Sequence, residues 1–245
     1  MMNTLPVALI TGASRGIGAS IAKRLASDGY AVVINYANSA AKAEQLVEEI
    51  EQQGGQAVSI QADVANSESV NHLFDEVKRR FGRLDVLVNN AGIMALAPVS
   101  QTSDQHYQSH IDTNLTGTFN TLRCAASHMN EGGRIINMST SVVGLKMANY
   151  GVYAATKAAV ETLSAIFAKE LAGRQITVNC VAPGPTATEL FLDGKPPSVI
   201  EHLSSLNPLG RLGQPEDIAN VVAFLAGTDG QWVNGQVLRA NGGMI

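Results

Sequence analysis

The sequence has little of what holds a protein together, or steers it, from outside its core. Its 245 residues include two cysteines and one tryptophan, and aromatics make up 5%. Cys124 and Cys180 fall in a predicted helix and a predicted strand, so they read as buried reduced thiols and not as a disulfide framework. Charged residues are 16% of the chain and the formal net charge is −4. With no extended Lys/Arg run, this excludes nucleic acid or an anionic membrane as the main partner. No stretch approaches the roughly 18 consecutive apolar residues of a membrane span. The opening "MMNTLPVALITG" lacks the basic segment of a secretory leader. The expectation is a cytoplasmic protein.

What is abundant is alternation. "PVALIT" (6–11), "YAVVINY" (30–36), "QAVSIQAD" (56–63), "LDVLVNNA" (84–91), "GRIINMS" (133–139), "ITVNCVAP" (176–183) and "GQVLRAN" (235–241) read as strands. Most are continuous apolar runs, which implies a sheet covered on both faces. Between them, "IGASIAKRLASDG", "SAAKAEQLVEEIEQQG", "SESVNHLFDEVKRRFG" and "PEDIANVVAFLAG" carry helical periodicity and end at glycine. Strand–helix alternation predicts an α/β doubly wound parallel sheet of about seven strands. The length suits one domain over 1–245, with a cofactor half to about 130 and a catalytic and substrate half from about 131. The long irregular stretch 184–214, rich in Pro and Gly, suits a lid, drawn at 185–212.

"TGASRGIG" (11–18) joins the first strand to the first helix. Glycines there allow a tight turn and close backbone approach to a pyrophosphate, which a helix N-terminus attracts. The same letters contain the nucleophile-elbow pattern Gly12-Ala13-Ser14-Arg15-Gly16. A hydrolase also needs an acid and a histidine downstream, and the histidines at 72, 106, 110, 128 and 202 fall in helical or lid segments. His106 and His110 have a metal-ligand spacing but no evident third ligand, so no metal site is expected. "NLT" at Asn114 matches a glycan acceptor by chance. Lys78-Arg79-Arg80 reads as the basic last turn of a helix.

"YGVYAATKAAVETL" (150–163) places Tyr153 four residues and Tyr150 seven residues before Lys157. Both spacings return to one helical face, but four residues rise about 6 Å and seven about 10.5 Å. Only Tyr153 is close enough for the ammonium to lower its phenol, which titrates near 10 when free.

Taken together, "TGASRGIG", "ADV" (62–64), "NNAG" (89–92), Asn114 in "DTNLTG", "YAATK" and "APG" (182–184) resemble the short-chain dehydrogenase/reductases, in that family's order and approximate spacing. The pattern is most similar to its 3-oxoacyl-carrier-protein reductases and its hydroxynaphthalene reductases, the latter for "NYANS" (35–39). The resemblance implies Tyr153 as general acid/base with Lys157 beside it, and a water held by Asn114. It places Gly12, Gly16, Ile17 and Gly18 around the cofactor pyrophosphate, with Ser14 and Arg15 also among the cofactor-binding residues. Asp63 and Val64 would meet the adenine, and Asn90, Ala91 and Gly92 would pack along the cofactor. Tyr153, Lys157, Pro183 and Gly184 would sit by the nicotinamide, with Thr186 or Thr188 on its carboxamide or a phosphate.

With Asn35 where a NAD site usually has an acid, and with Arg15, Asn38 and Ser39 able to bind a 2′-phosphate, NADP(H) is the expected cofactor. The substrate is then a small-molecule carbonyl, such as a 3-oxoacyl group, a quinone or another ketone. An alcohol or sugar dehydrogenase running oxidatively, or a cofactor-binding protein without turnover, stand as alternatives. A homotetramer is expected from the apolar 153–172 and C-terminal segments. The hydroxyl that steadies the substrate carbonyl is contested. Counting thirteen residues back from Tyr153 gives Thr140, whereas the Val-x-Gly loop match gives Ser141, which is favoured because it needs no exchange. Ser139 shares the facing of Ser141 but sits deeper.

Overall fold

All seven apolar runs form strands: β1 (Val7–Ile10), β2 (Ala31–Tyr36), β3 (Gln56–Gln61), β4 (Val86–Asn89), β5 (Arg134–Met138), β6 (Thr177–Pro183) and β7 (Val237–Ala240). In this computed structural model, which describes residues 5–245, they pair in parallel in the order β3-β2-β1-β4-β5-β6-β7. Residues 1–4, part of the stretch from which no leader was expected, lie outside the described residues.

Every residue of β1 and β6 is buried because both sheet faces are covered. Side chains alternate between two cores. Val7, Leu9 and Val33 pack with α3 (Ser67–Phe81), α5 (Gly117–His128) and α7 (Gly151–Glu170). Ala8, Ile10 and Ile34 pack with α1 (Gly16–Ser27), α2 (Ala40–Gln52) and α10 (Pro215–Ala226). Gly82, at φ 75°, ends α3 in the left-handed conformation, and Lys78, Arg79 and Arg80 form its basic last turn, as expected. Cys124 and Cys180 are buried and free.

A polar seam crosses the apolar sheet. Asn89 Nδ2 donates to Asn137 Oδ1 at 2.7 Å, and Asn137 Nδ2 donates to Ser164 Oγ of α7 at 2.7 Å. Cys180 Sγ meets that hydroxyl at 3.1 Å. Asn89, Asn137 and Cys180 are direct lateral neighbours in the ladder.

One segment was not read from the sequence and another departs from its reading. The helix α4 (Asp104–His110) continues through a π-helical turn, Ile111–Thr116, into α5. The 184–214 stretch is not irregular throughout. It holds α8 (Glu189–Leu192), whose Thr188 hydroxyl caps the Phe191 amide, and α9 (Pro197–Ser205), started by Pro197. Both helices are too short for periodicity to reveal. The turn α6 (Val142–Leu145) follows β5.

Candidate active site

A cleft of about 730 Å³ opens at the C-terminal ends of the strands, across the point between β1 and β4 where strand order reverses. Every candidate cofactor contact named from the sequence borders it, as do Ser139, Thr140, Ser141 and Tyr150. Asn114 alone lies behind its wall, fully buried. That burial excludes it as a glycan acceptor.

One wall is made by backbone. Gly12 sits at φ 60°, and a Cβ there would lie 2.8 Å from Ala91 Cα. A Cβ on Gly18 would lie 2.5 Å from the Asn90 amide nitrogen. No side chain caps α1, so its first N–H groups are left for a ligand. Glycine contact, uncapped helix and cleft volume together fit the diphosphate of a dinucleotide. Asn90 fixes the loop by donating to the Thr11 and Gly12 carbonyls at 2.9 and 3.0 Å.

Asn35, read from the sequence as facing the cofactor ribose, has its side chain 1% exposed and tied inward. It accepts from the Gly12 amide and donates to the Ile60 and Ala62 carbonyls. Tyr36 ends the strand instead. Beyond it, Ser39 begins α2 with no cap bond from its side chain. Sequence reasoning missed Lys42 and Glu189, which no local motif marks. The Glu189 carboxylate of α8 meets Lys42 Nζ at 3.0 Å and Arg15 at 3.5 Å. Lys42, then Arg15, holds that carboxyl below its usual range. The Asp63 carboxylate accepts from the Ala65 amide.

The opposite wall is made by side chains. α7 carries Tyr153 and Lys157 to the cleft floor, with Tyr150 at its N-cap, ring centroids 6.4 Å from Tyr153. Burial pushes the Tyr153 phenol up to about 12, only partly offset by the Thr140 hydroxyl. Burial also brings Lys157 down to about 8. Lys157 Nζ donates to the Met138 carbonyl at 2.8 Å. The expectation that the ammonium lowers the phenol is therefore corrected. Lys157 points to the strand end, and withdrawal from water dominates at Tyr153.

The three contested hydroxyls are held differently. The Ser141 hydroxyl donates to the Ala182 carbonyl at 3.1 Å and accepts from Asn241 Nδ2 at 3.0 Å. Ser139 is turned onto Glu161 at 2.5 Å. Thr140, whose hydroxyl accepts from the Val142 amide at 3.3 Å, is the one of the three whose hydroxyl acts on the Tyr153 phenol, opposing the effect of burial. The strand stops at Met138 and Ser141 already has helical φ and ψ, so strict alternation no longer governs residues 139–141. Thr186 also turns inward, donating to the Gly184 carbonyl at 2.9 Å. Thr188 instead packs against the glycine loop, its methyl 3.5 Å from where a Cβ on Gly16 would be.

Asn114 clamps the segment after β4. Its side chain accepts from the Ile93 amide at 2.8 Å and donates to the Ile93 carbonyl at 3.0 Å and to Thr156 at 3.3 Å. A Cβ on Gly92 would sit 3.2 Å from Asn114 Oδ1 and 3.5 Å from Lys157 Nζ, so the three converge. His106 and His110 stack at 4.7 Å. Among the described residues no group of three or more His, Cys, Asp or Glu is placed to hold a metal. None of these residues forms a helix long and apolar enough to cross a membrane.

A parallel sheet with a glycine cradle at its switch point defines a Rossmann-type dinucleotide-binding fold. The family model described as enoyl-(acyl carrier protein) reductase matches residues 12–245. The chain is 46% identical over 239 residues to a 3-oxoacyl-[acyl-carrier-protein] reductase of Staphylococcus aureus, covering 97% of each. It is 42% identical over 253 residues to a chloroplastic NADPH-dependent aldehyde reductase-like protein of Arabidopsis thaliana, covering 98% of this chain and 94% of that one. A short-chain dehydrogenase from Burkholderia cenocepacia, solved in complex with NADP, superposes with a TM-score of 0.92 at 38% identity, covering 99% of each chain. The chain belongs to the short-chain dehydrogenase/reductase family.

Proposed function

We propose that this protein reduces an apolar carbonyl compound to its hydroxyl with NADPH. The observation that carries the reading is Tyr153, Lys157 and Thr140 together lining a cleft whose other wall is a diphosphate cradle. A phenol held above neutral pH is in the form that can donate a proton. When bound, NADPH supplies the hydride. Tyr153 delivers the proton to the carbonyl oxygen, and the Thr140 hydroxyl steadies that oxygen as charge develops. Asn114 keeps the 92–93 turn against Lys157. The water expected at Asn114 belongs to this proposal.

NADPH is favoured over NADH because Arg15, Asn38 and Ser39 line the region beyond β2, where no acid follows Tyr36 before Ala40, and Lys42 pairs with Glu189 at its edge. The names of the Arabidopsis relative and the Burkholderia complex support the same cofactor. Ile93, Met94, Val142, Leu145, Phe191 and Met244 line the substrate end and favour an apolar substrate. Segment 185–212 acts as the lid over it. Exposed Ile166, Phe224, Trp232 and Val237 support a homotetramer, which light scattering tests. Two unpaired buried thiols fit a reducing cytoplasm.

The test is nicotinamide oxidation against acetoacetyl thioesters, quinones, sugars, aromatic ketones and aldehydes, with an enoyl thioester as control. Turnover of an apolar carbonyl with NADPH is expected. Turnover of the enoyl thioester alone, or equal kcat/KM with NADH, overturns the reading.

A further inference from the structure

The reaction above leaves His110 unused, yet its geometry is fully determined. It ends α4, four residues before Asn114, and is 1% exposed. Its Nε2 lies 3.1 Å from the Ala95 amide nitrogen, and its Nδ1 lies 2.9 Å from the His106 carbonyl oxygen. A backbone amide can only donate and a carbonyl can only accept. The ring therefore accepts at Nε2 and donates from Nδ1, and its two partners fix one neutral tautomer. An imidazolium has a proton on both nitrogens, so it would set donor against donor at Ala95.

What the ring holds is the 93–97 segment, pinned at alternate residues. Asn114 clamps Ile93, His110 takes the Ala95 amide, and the Asn149 carbonyl accepts from the Ala97 amide at 3.1 Å. Ile93 and Met94 face the cleft, and Asn149 immediately precedes Tyr150. The middle pin thus sits between the substrate wall and the start of the Tyr153 helix.

We propose that His110 is a positioning residue: its neutral Nδ1–H tautomer fixes the 93–97 wall of the cleft, and protonation releases that wall. The His106 ring stacks on that of His110 at 4.7 Å and 14°, so two protonated rings would face each other. Asp104 lies at the far end of α4. Asp112, in the π-helical turn, accepts from Gln108. On α7, Tyr153 lines the cleft, Lys157 donates to Met138 and Glu161 accepts from Ser139. None of these makes a hydrogen bond or ion pair with the His110 ring.

The consequence for substrate rests on the carbonyl-reductase reading, whereas the tautomer and the pinned segment do not. Two variants separate the roles. In His110→Gln the amide oxygen can accept from Ala95 without titrating, and in His110→Leu no acceptor remains. Long-range proton–nitrogen spectra of the imidazole should show the Nδ1–H form at neutral pH. Exchange of the Ala95 amide should speed up about tenfold as the ring protonates, the scale of one lost hydrogen bond. That exchange should be fast at every pH in His110→Leu and insensitive to the ring's titration in His110→Gln, once the intrinsic pH dependence of exchange is subtracted. KM for an acetoacetyl thioester should rise at acid pH in the wild type and at all pH in the Leu variant. It should stay level in the Gln variant, with kcat and NADPH affinity little changed throughout. An Nε2–H tautomer overturns the proposal, and so does Ala95 exchange that is equal in the wild type and the Leu variant. A pH-sensitive KM that persists in His110→Gln also overturns it. If tautomer and exchange behave as expected but no carbonyl is reduced, the carbonyl reading alone falls.

Discussion

The two walls of the cleft are built by different means. The glycine wall takes its shape from main chain: left-handed Gly12 and Gly16, an uncapped helix start, and Asn90 and Asn35 bonded to loop and strand backbone. The α7 wall takes its properties from side chains withdrawn from water: Tyr153 is raised and Lys157 lowered. Damage to the first should therefore appear in cofactor affinity, and damage to the second in the chemical step. The two walls also differ in stability, since a buried ammonium destabilises the fold that holds it whereas a glycine turn does not.

The sharpest break is Tyr153→Phe. It should lower kcat by about 10²–10⁴-fold while NADPH affinity holds, and an enzyme within about threefold of wild type would sink the assignment. Tyr150→Phe should alter mainly KM. Next comes the pair Thr140→Val and Ser141→Ala. The first should lower kcat by about 10²–10³-fold. The second should leave most activity and lower stability by about 1 kcal/mol through its lost bonds to Ala182 and Asn241. Steady-state kinetics with the reversed pattern would return the role to Ser141.

On the other wall, Gly12→Ala forces a Cβ to 2.8 Å from Ala91 Cα at φ 60°. NADPH should bind about ten- to hundredfold more weakly, the scale of 1–3 kcal/mol of local strain, with kcat at saturation largely kept. Titration calorimetry separates this from a general loss of folding.

The smallest effect is one of stability. Lys157 is near 8 in the fold against an ordinary 10.5, so between those values the unfolded chain binds more protons than the native one. Wild-type stability therefore rises with pH across that window. Below it, the buried charge destabilises by on the order of 3 kcal/mol at most. Lys157→Met should turn over poorly yet gain on the order of 1–2 kcal/mol at neutral pH, after the Met138 carbonyl loses its donor. The gain should shrink toward alkaline pH in denaturant melts. A gain that grows with pH would contradict the assigned direction.

The glycine wall was also the legible one. Turn glycines, apolar runs and a Tyr/Lys spacing are local signals, and they located all seven strands and the helix that carries Tyr153. What escaped depends on distant partners or on where an element stops. Ser141 is held by Asn241, a hundred residues on, and Glu189 reaches back to Arg15 and Lys42. The hydroxyl choice was not legible from strand alternation because β5 ends at Met138 and the chain turns helical by Ser141. The direction at Tyr153 failed because burial outweighs a neighbouring charge, and burial is a property of the assembled fold. The helices α8 and α9 span less than three turns each, too few for a period to show.

The seam of Asn89, Asn137 and Ser164 acts as a key for strand registration. In a parallel sheet of nearly uniform Val, Ile and Leu, a strand that slips two residues keeps its apolar faces correct, so burial alone discriminates poorly against the error. Here Asn89 stands opposite Asn137, and Asn137 opposite Cys180. A slip of β4 along β5 would leave buried amides facing hydrocarbon, at roughly 1–3 kcal/mol for each unmet group. The polar seam beneath the cleft therefore checks the alignment of the strands whose ends become the catalytic floor.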